Sequence, residues 1–221
     1  MRKDEIRSVV RNTLPKFDKS GKYGDRFVDA CIEKAIASIY HDIFLTTPLA
    51  LARYTKGFGY STPIPVFTEN STGIKYSTLP ESIIPFEDKS SGVRRVSTPA
   101  QGRIMFFPMD FREIDLVANG SFLNTVITKV GYAVNQTRIE YYNIPASIMA
   151  SGVRMDLIIP FSKYAEDDEV KIPEITEVTG TNYRQVAKTF MDRVMEILGV
   201  VQPVDLRDDN SSSGQAASKD N

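Results

Sequence analysis

One histidine, one cysteine and no tryptophan in 221 residues limit the chemistry open to this chain. A lone histidine, His41, cannot build a multi-histidine metal centre. A lone cysteine, Cys31, cannot close an intrachain disulfide, which suits a reducing compartment. Charge of one sign is lacking too: 27 Lys and Arg against 28 Asp and Glu leave a net charge of −1. Proteins that grip nucleic acid carry a basic excess, because phosphate neutralisation supplies most of that affinity. No apolar run approaches the ~20 residues of a membrane span. The charged start Met1-Arg2-Lys3-Asp4-Glu5 lacks the apolar stretch of a signal peptide, so synthesis in the cytosol is the expectation. Sequons at Asn70, Asn119, Asn135 and Asn210 are then chance occurrences. No GxSxG and no GxxxxGK[ST] pattern occurs.

What is present is an ordinary globular composition, 42% hydrophobic with twelve Phe and ten Tyr, enough to fill a core. Residues 3–13 predict a short helix with Ile6, Val9 and Val10 on one side, stopped at Leu14-Pro15. A polar link, Lys16 to Gly24, follows. From Asp25, a candidate N-cap, apolar residues fall at Phe27, Val28, Cys31, Ile32, Ala35, Ile36, Ile39, Tyr40, Ile43 and Phe44. Pairs recurring every four residues predict a long helix ending near Leu45, with a stripe broad enough to lie between two other elements.

Prolines crowd positions 48–108 and exclude long helices there. Short alternating runs at Ile64–Phe67 and Ile74–Thr78, an apolar run at Ile104–Phe107, and alternation over Val126–Val134 predict antiparallel β-structure. A turn near Asn135-Gln136 leads into Arg138–Ile144, and Val153–Ile159 alternates again before Pro160. Helix returns late: Asn182 can cap, Gln185 follows at the capping-box position, Val186, Phe190, Val194, Ile197 and Leu198 form a face, and Gly199 suits C′. The expected fold class is α+β, with the N-terminal long helix and the C-terminal helix packed together around an antiparallel β-rich middle. The expected divisions are a helical region at 1–47, a β-rich region with long loops at 48–175, a helix at 176–199 and an extended polar tail at 200–221. Such a tail buries too little apolar area to offset its ordering entropy.

Candidate chemical residues have plain structural explanations. His41 lies on the polar side of the long helix near its end, where it can bond terminal carbonyls. Cys31 lies on the apolar stripe and acts there as a small hydrophobe. Ten residues of helix separate the two by about 15 Å, beyond the reach of a catalytic dyad. The cluster Glu166-Asp167-Asp168-Glu169 lacks the spaced ligands and glycine of a calcium loop and is expected as a solvated turn. Gly57-Phe58-Gly59 has neither a preceding strand nor a following helix, so it is expected as a flexible aromatic-bearing loop and not a phosphate loop. Arg94 and Arg95 should take opposite faces of a strand, one pairing within the fold and the other free for a phosphate or a neighbour's carboxylate. No catalytic, cofactor-binding or metal-binding residues are expected.

Several stretches carry a resemblance in their order along the chain. These are Lys75-Tyr76-Ser77-Thr78-Leu79-Pro80, Gly92-Val93-Arg94-Arg95-Val96, Phe106-Phe107-Pro108-Met109, Leu157-Ile158-Ile159-Pro160-Phe161-Ser162 and Asp167-Asp168-Glu169-Val170-Lys171-Ile172-Pro173. From about residue 25 to 198 the chain resembles virion structural proteins of short-tailed bacteriophages, especially crAss-like phages. The resemblance implies a head-to-tail connector or tail ring protein, an adaptor in a homo-oligomeric ring of twelve. It also implies contacts with the portal protein or adjacent tail rings, passive contact with translocating DNA, no membrane, and a place in the virion neck or tail after assembly in the host cytoplasm. Near-neutral charge is compatible with a conduit, whose wall should not retain phosphates. Two other readings stand beside it: a carbohydrate- or receptor-binding virion module using Phe58 or Tyr60, and a hydrolase using Glu166 and Asp168.

Overall fold

The computed structural model describes residues 1–17, 23–99, 104–110, 113, 130–172, 190 and 192–198. The chain is mixed α+β. Helix α1 spans Lys3–Phe17 and helix α2 spans Asp25–Thr46. A 3-10 turn follows at Pro48–Tyr54. The strands are β1 (Lys56–Phe58), β2 (Phe67–Thr68), β3 (Lys75–Thr78), β4 (Val93–Ser97), β5 (Phe107–Pro108), β6 (Gly131–Asn135), β7 (Arg138–Tyr142) and β8 (Arg154–Leu157). A short helix α3 (Ala146–Ser151) and a 3-10 turn at Phe161–Lys163 flank β8.

Two departures from expectation concern helix ends. α1 does not stop at Leu14-Pro15 but continues to Phe17. A proline so near the helix end forfeits only the bond its missing N–H would have made to the Arg11 carbonyl. The cap of α2 is Gly24, with extended backbone and no side-chain cap bond, and Asp25 is the first helical residue. Its carboxylate instead pairs with Arg11 and favours the positive end of the helix dipole. Val28, Cys31, Ile32, Ala35, Ile36, Ile39 and Tyr40 of the α2 stripe are buried, each contributing about 1.5–3 kcal/mol if it is large and fully covered. Phe27 and Leu45, at the two ends of the stripe, stay exposed.

The strands form a three-stranded sheet, β1-β8-β4, and a five-stranded sheet, β2-β3-β7-β6-β5. Two bent strands join them. On one side the segment from β1 to β2 pairs Lys56–Phe58 with β8, bonds Ile64 to Val153 in both directions (2.8 and 2.9 Å), and then pairs with β3. On the other side residues 104–108 serve both sheets. Phe106 N–H donates to Val96 O of β4 (2.9 Å), while Phe107 N–H donates to Val130 O beside β6 (2.9 Å). The two sheets are thus linked on both sides, by the Ile64–Val153 bridge ahead of β2 and the Ser97–Met105 bridge ahead of β5, and together they form a small barrel-like arrangement with bent strands at its corners.

The barrel and its flanks are filled by Val93, Val96, Phe106, Tyr132, Ile139, Tyr141, Val153, Met155 and Leu157, each no more than 4% exposed. Phe106 meets Tyr141 edge-to-face at 5.8 Å, a favoured aromatic geometry. At Gly131 on β6 the Met109 thioether occupies the space a Cβ would take, so a larger residue there would have to displace the Met109 side chain.

Outside the barrel, α2 packs on the 48–54 turn and the 161–163 turn. The Tyr40 hydroxyl donates to Lys171 O at 2.6 Å, and Tyr40 meets Tyr54 at 5.8 Å. Residues 192–197 are helical. Arg193 reaches Ser38 and Asp42 of α2, at 3.1 and 2.6 Å, and the Tyr23 hydroxyl reaches Leu198 O at 3.2 Å. The expected cap at Asn182 with Gln185 and Val186, the C′ Gly199, the alternation over 126–129 and the tail from 200 lie outside the described residues.

Candidate functional site

The acidic cluster is a turn, as expected, with Glu166, Asp167 and Glu169 exposed, and it does more than face solvent. It is the receiving half of a clasp for the N-terminus. Lys3 N–H donates to Asp168 O (3.2 Å), Asp4 N–H to Glu166 O (3.3 Å), and Val170 N–H to Met1 O (2.9 Å). The Lys3 ammonium, buried to 6% side-chain exposure, donates to Tyr164 O at 2.7 Å and lies 3.7 Å from Glu166. Arg7 forks both ways, holding Asp29 through two bonds of 2.7 and 2.6 Å and Glu166 through its third nitrogen. Asp168 is held by Lys56 and accepts from Ala165 N–H at 2.7 Å. The lysine bond pulls the Asp168 carboxyl below the ordinary carboxylate range. Glu166 and Asp168 are thus both engaged by cations. Among the described residues no group of three or more His, Cys, Asp or Glu could hold a metal ion.

Gly57 and Phe58 belong to strand β1, so the expected loop is a strand. Its aromatic neighbour Tyr60 is half-exposed yet committed. Its hydroxyl donates to Asp156 at 2.8 Å, the Arg154 guanidinium stands 4.9 Å from the ring centroid, and the Cε2 edge presses on Gly57. Burial, then the bond to Asp156, raises the Tyr60 hydroxyl above its ordinary pKa. Phe58 is half-buried beside Lys56.

Cys31 is buried, and desolvation pushes its thiol up, away from the reactive thiolate. His41 is exposed and lies 6.3 Å from the Phe44 ring. The expected carbonyl-capping duty falls to threonines instead. Thr46 Oγ1 donates to Asp42 O (2.9 Å), and Thr47 N–H donates to Ile43 O (2.7 Å).

The register of β4 against β8 shifts between Val93 and Arg95, which puts Arg94 at the irregularity. Arg95 lies opposite Asp156 in the pairing with β8. Arg94 is the residue turned inward, at 9% side-chain exposure. Its guanidinium sits 4.8 Å from the Phe86 ring centroid and 5.8 Å from that of Phe44. Nη1 donates to Asp88 at 2.7 Å and to Ser90 Oγ at 3.3 Å. Beside it runs a groove of about 830 Å³, walled by Pro85, Asp88, Lys89, Ser91, Met109 and Asp110 among others. Lys89 on that wall is paired with Glu113 and Asp110.

Large apolar side chains stand exposed on separate elements. Leu45 closes α2 and Leu49, 90% exposed, begins the following 3-10 turn. Ile104, Met105 and Phe107 are exposed along one corner strand, and Phe67 on β2. Clusters of this kind mark interaction surfaces more often than single exposed residues do. The arrangement defines a small barrel-like β-body backed by helices, with apolar contact points on its outside and a buried arginine beside its main groove. No family model matches the chain, and no curated protein matches it.

Proposed function

We propose that this chain is a structural ring subunit of a phage head-to-tail connector or tail, joining portal and tail around the DNA channel. The observation that carries the reading is the pair of exposed apolar groups on different elements, Leu45 with Leu49 and Ile104 with Met105 and Phe107. A ring needs a heterologous contact, in which one patch of a subunit meets a different patch of the next. Two unlike apolar groups, one at the end of α2 and one on a corner strand of the barrel, meet that requirement. The resemblance to virion proteins of crAss-like phages supplies the setting, a twelvefold ring touching portal or adjacent tail rings, with passive contact with DNA. In this reading α2 and the C-terminal helix form one layer, and the ring contacts join the barrel of one subunit to the Leu45–Leu49 end of that layer in the next.

Light scattering and electron microscopy of the purified protein, alone and mixed with its portal or adjacent ring protein, test the proposal. Rings or higher-order assemblies are expected, and Leu45→Ser with Leu49→Ser should abolish them while leaving the circular dichroism spectrum unchanged. A protein that stays monomeric in both settings sinks the reading.

The alternative, a carbohydrate- or receptor-binding module, needs an aromatic platform. Tyr60 spends its hydroxyl on Asp156 and one ring face on Arg154, which leaves it a poor stacking surface. That reading predicts glycan binding by the monomer, lost in Tyr60→Ala.

A further inference from the structure

Arg94 presents an unused pair of buried donors. Its Nε and Nη2 are both shielded from solvent, and among the described residues neither has a hydrogen-bond partner. Nη1, on the opposite side of the group, takes all the acceptors in reach, Asp88 and Ser90. Nε–H and Nη2–H are parallel donors on one edge of the guanidinium, the edge that grips a carboxylate side-on through two bonds. Buried charged donors left without acceptors are rare and costly, so each needs a specific explanation.

The surroundings suit an anion that arrives and leaves. The carboxylate now on Nη1 belongs to Asp88, which is itself exposed on the groove wall. The turn that carries it, residues 87–91, holds itself by short-range bonds, Ser91 N–H to Asp88 O at 3.1 Å and Val93 N–H to Ser90 O at 2.8 Å. Ser91 within it adopts a left-handed φ of 49°, a conformation that L-residues other than Asn and Asp seldom hold. Beyond the turn the chain is fixed: Ile84 N–H bonds Ile158 O at 2.9 Å, and Gly92 packs so closely on Ile84 O that a Cβ there would stand 2.4 Å away. A short turn between fixed ends thus lines the groove through Asp88, Lys89 and Ser91 and holds the Nη1 side of Arg94 through Asp88. Phe44 and Phe86 provide apolar walls that strengthen a charge-assisted bond formed between them.

We propose that Arg94 is a carboxylate receptor. When the turn at 87–91 swings toward the groove, the Nε–Nη2 edge takes a carboxylate of another molecule side-on, and Asp88 either stays on Nη1 or yields to it. The chemical class is a single carboxylate, carried by a peptide side chain or by a free organic acid. The proposal goes beyond the ring reading and does not depend on it.

The test is titration of the full-length protein, followed by calorimetry and by the nitrogen-15 resonances of arginine Nε–H groups. The probes are sodium acetate, with sodium chloride as the ionic-strength control, and the capped tripeptide acetyl-Val-Asp-Leu-amide, whose only charge is one carboxylate. Saturable binding with a downfield shift of the Arg94 Nε–H signal is expected, with no such change in chloride. Asp88→Asn removes the competing carboxylate and should tighten binding by roughly tenfold, the scale of one charge-assisted bond. Arg94→Lys should abolish it, because an ammonium has no side-on edge. A tripeptide that binds at least tenfold tighter than acetate assigns the carboxylate to a partner polypeptide, and equal affinities assign it to a free acid. No saturable binding to the wild type or to Asp88→Asn overturns the proposal, as does binding that leaves the Arg94 signal unmoved. The Asp88→Asn measurement keeps the test decisive should Arg94→Lys fail to fold.

Discussion

Inside the barrel, Val93, Val96, Phe106, Ile139, Met155 and Leu157 meet as close-packed apolar side chains, whereas α1 reaches the rest of the molecule through charges. Ile6 and Val10 are its buried apolar anchors. Around them Lys3, Arg7 and Arg11 engage Glu166, Asp29 and Asp25. The two regions should answer differently to solvent conditions. Apolar burial is indifferent to pH and salt, while exposed ion pairs are screened by salt and depend on ionisation. Ile6 and Val10 share one buried apolar cluster with the barrel residues, so what sets α1 apart is the ring of ion pairs around them, which salt and acid should loosen first.

The sharpest way to break the comparison is a cavity in the barrel. Leu157→Ala, at a fully buried site on β8 paired with both β1 and β4, should cost about 2–5 kcal/mol. Urea denaturation measures it, and a loss under about 1 kcal/mol would mean that the barrel is not the cooperative unit.

The elements of this barrel were legible in the residues to very different degrees. The β6–β7 hairpin was, because its alternation brackets a two-residue polar turn, and Gln136 there takes a left-handed φ of 52°. The buried face of α2 was, because pairs four apart can share only one side of a helix. The linking of the two sheets was not. It depends on Ile64 meeting Val153 and on Met105 meeting Ser97, single-residue bridges that leave no periodicity behind. Helix α3 has only six residues, too few for a helical pattern to emerge. The clasp was hidden by distance along the chain. Arg7 and Glu166 are 159 positions apart, so the exposed turn was legible in the sequence and the cations that reach it were not. Arg94 was half legible: its strand alternation was visible, but the register shift and the Phe44–Phe86 enclosure are tertiary facts.

On the clasp side of the comparison, Lys3→Ala comes next in size. It leaves the carbonyls of Ser162 and Tyr164 without their ammonium donor in a largely buried place, which should cost about 1–3 kcal/mol. Hydrogen exchange should show the loss concentrated in α1, with barrel amides unchanged. If the barrel amides weaken equally, the two regions are one cooperative unit. Arg7→Ala has a smaller expected effect, about 1 kcal/mol or less, because its pairs are partly solvated. Thermal melts at low and at half-molar salt should converge for the variant and the wild type, since salt screens the wild-type pairs.

The smallest effect is a dependence on pH. Lys56 and the Ala165 amide hold the folded-state pKa of Asp168 below the ordinary carboxylate value of 3.8. A depressed folded-state pKa contributes stability that is complete above the unfolded-state value and is lost as pH falls through the folded-state one. The clasp should therefore be insensitive from neutral pH down to about pH 5 and loosen progressively below pH 4. Asp168→Asn removes this ionisation and should flatten the corresponding part of the slope, at the cost of a lower stability plateau near pH 7. Melting curves at pH 7, 5, 4 and 3 for both proteins measure the difference. Because the carboxylate belongs to the clasp, the wild-type loss should appear first as exchange or proteolysis within α1, while Leu157, Met155 and their neighbours stay protected. Parallel acid profiles for variant and wild type would show that Asp168 is not what fastens the N-terminal region to the barrel side.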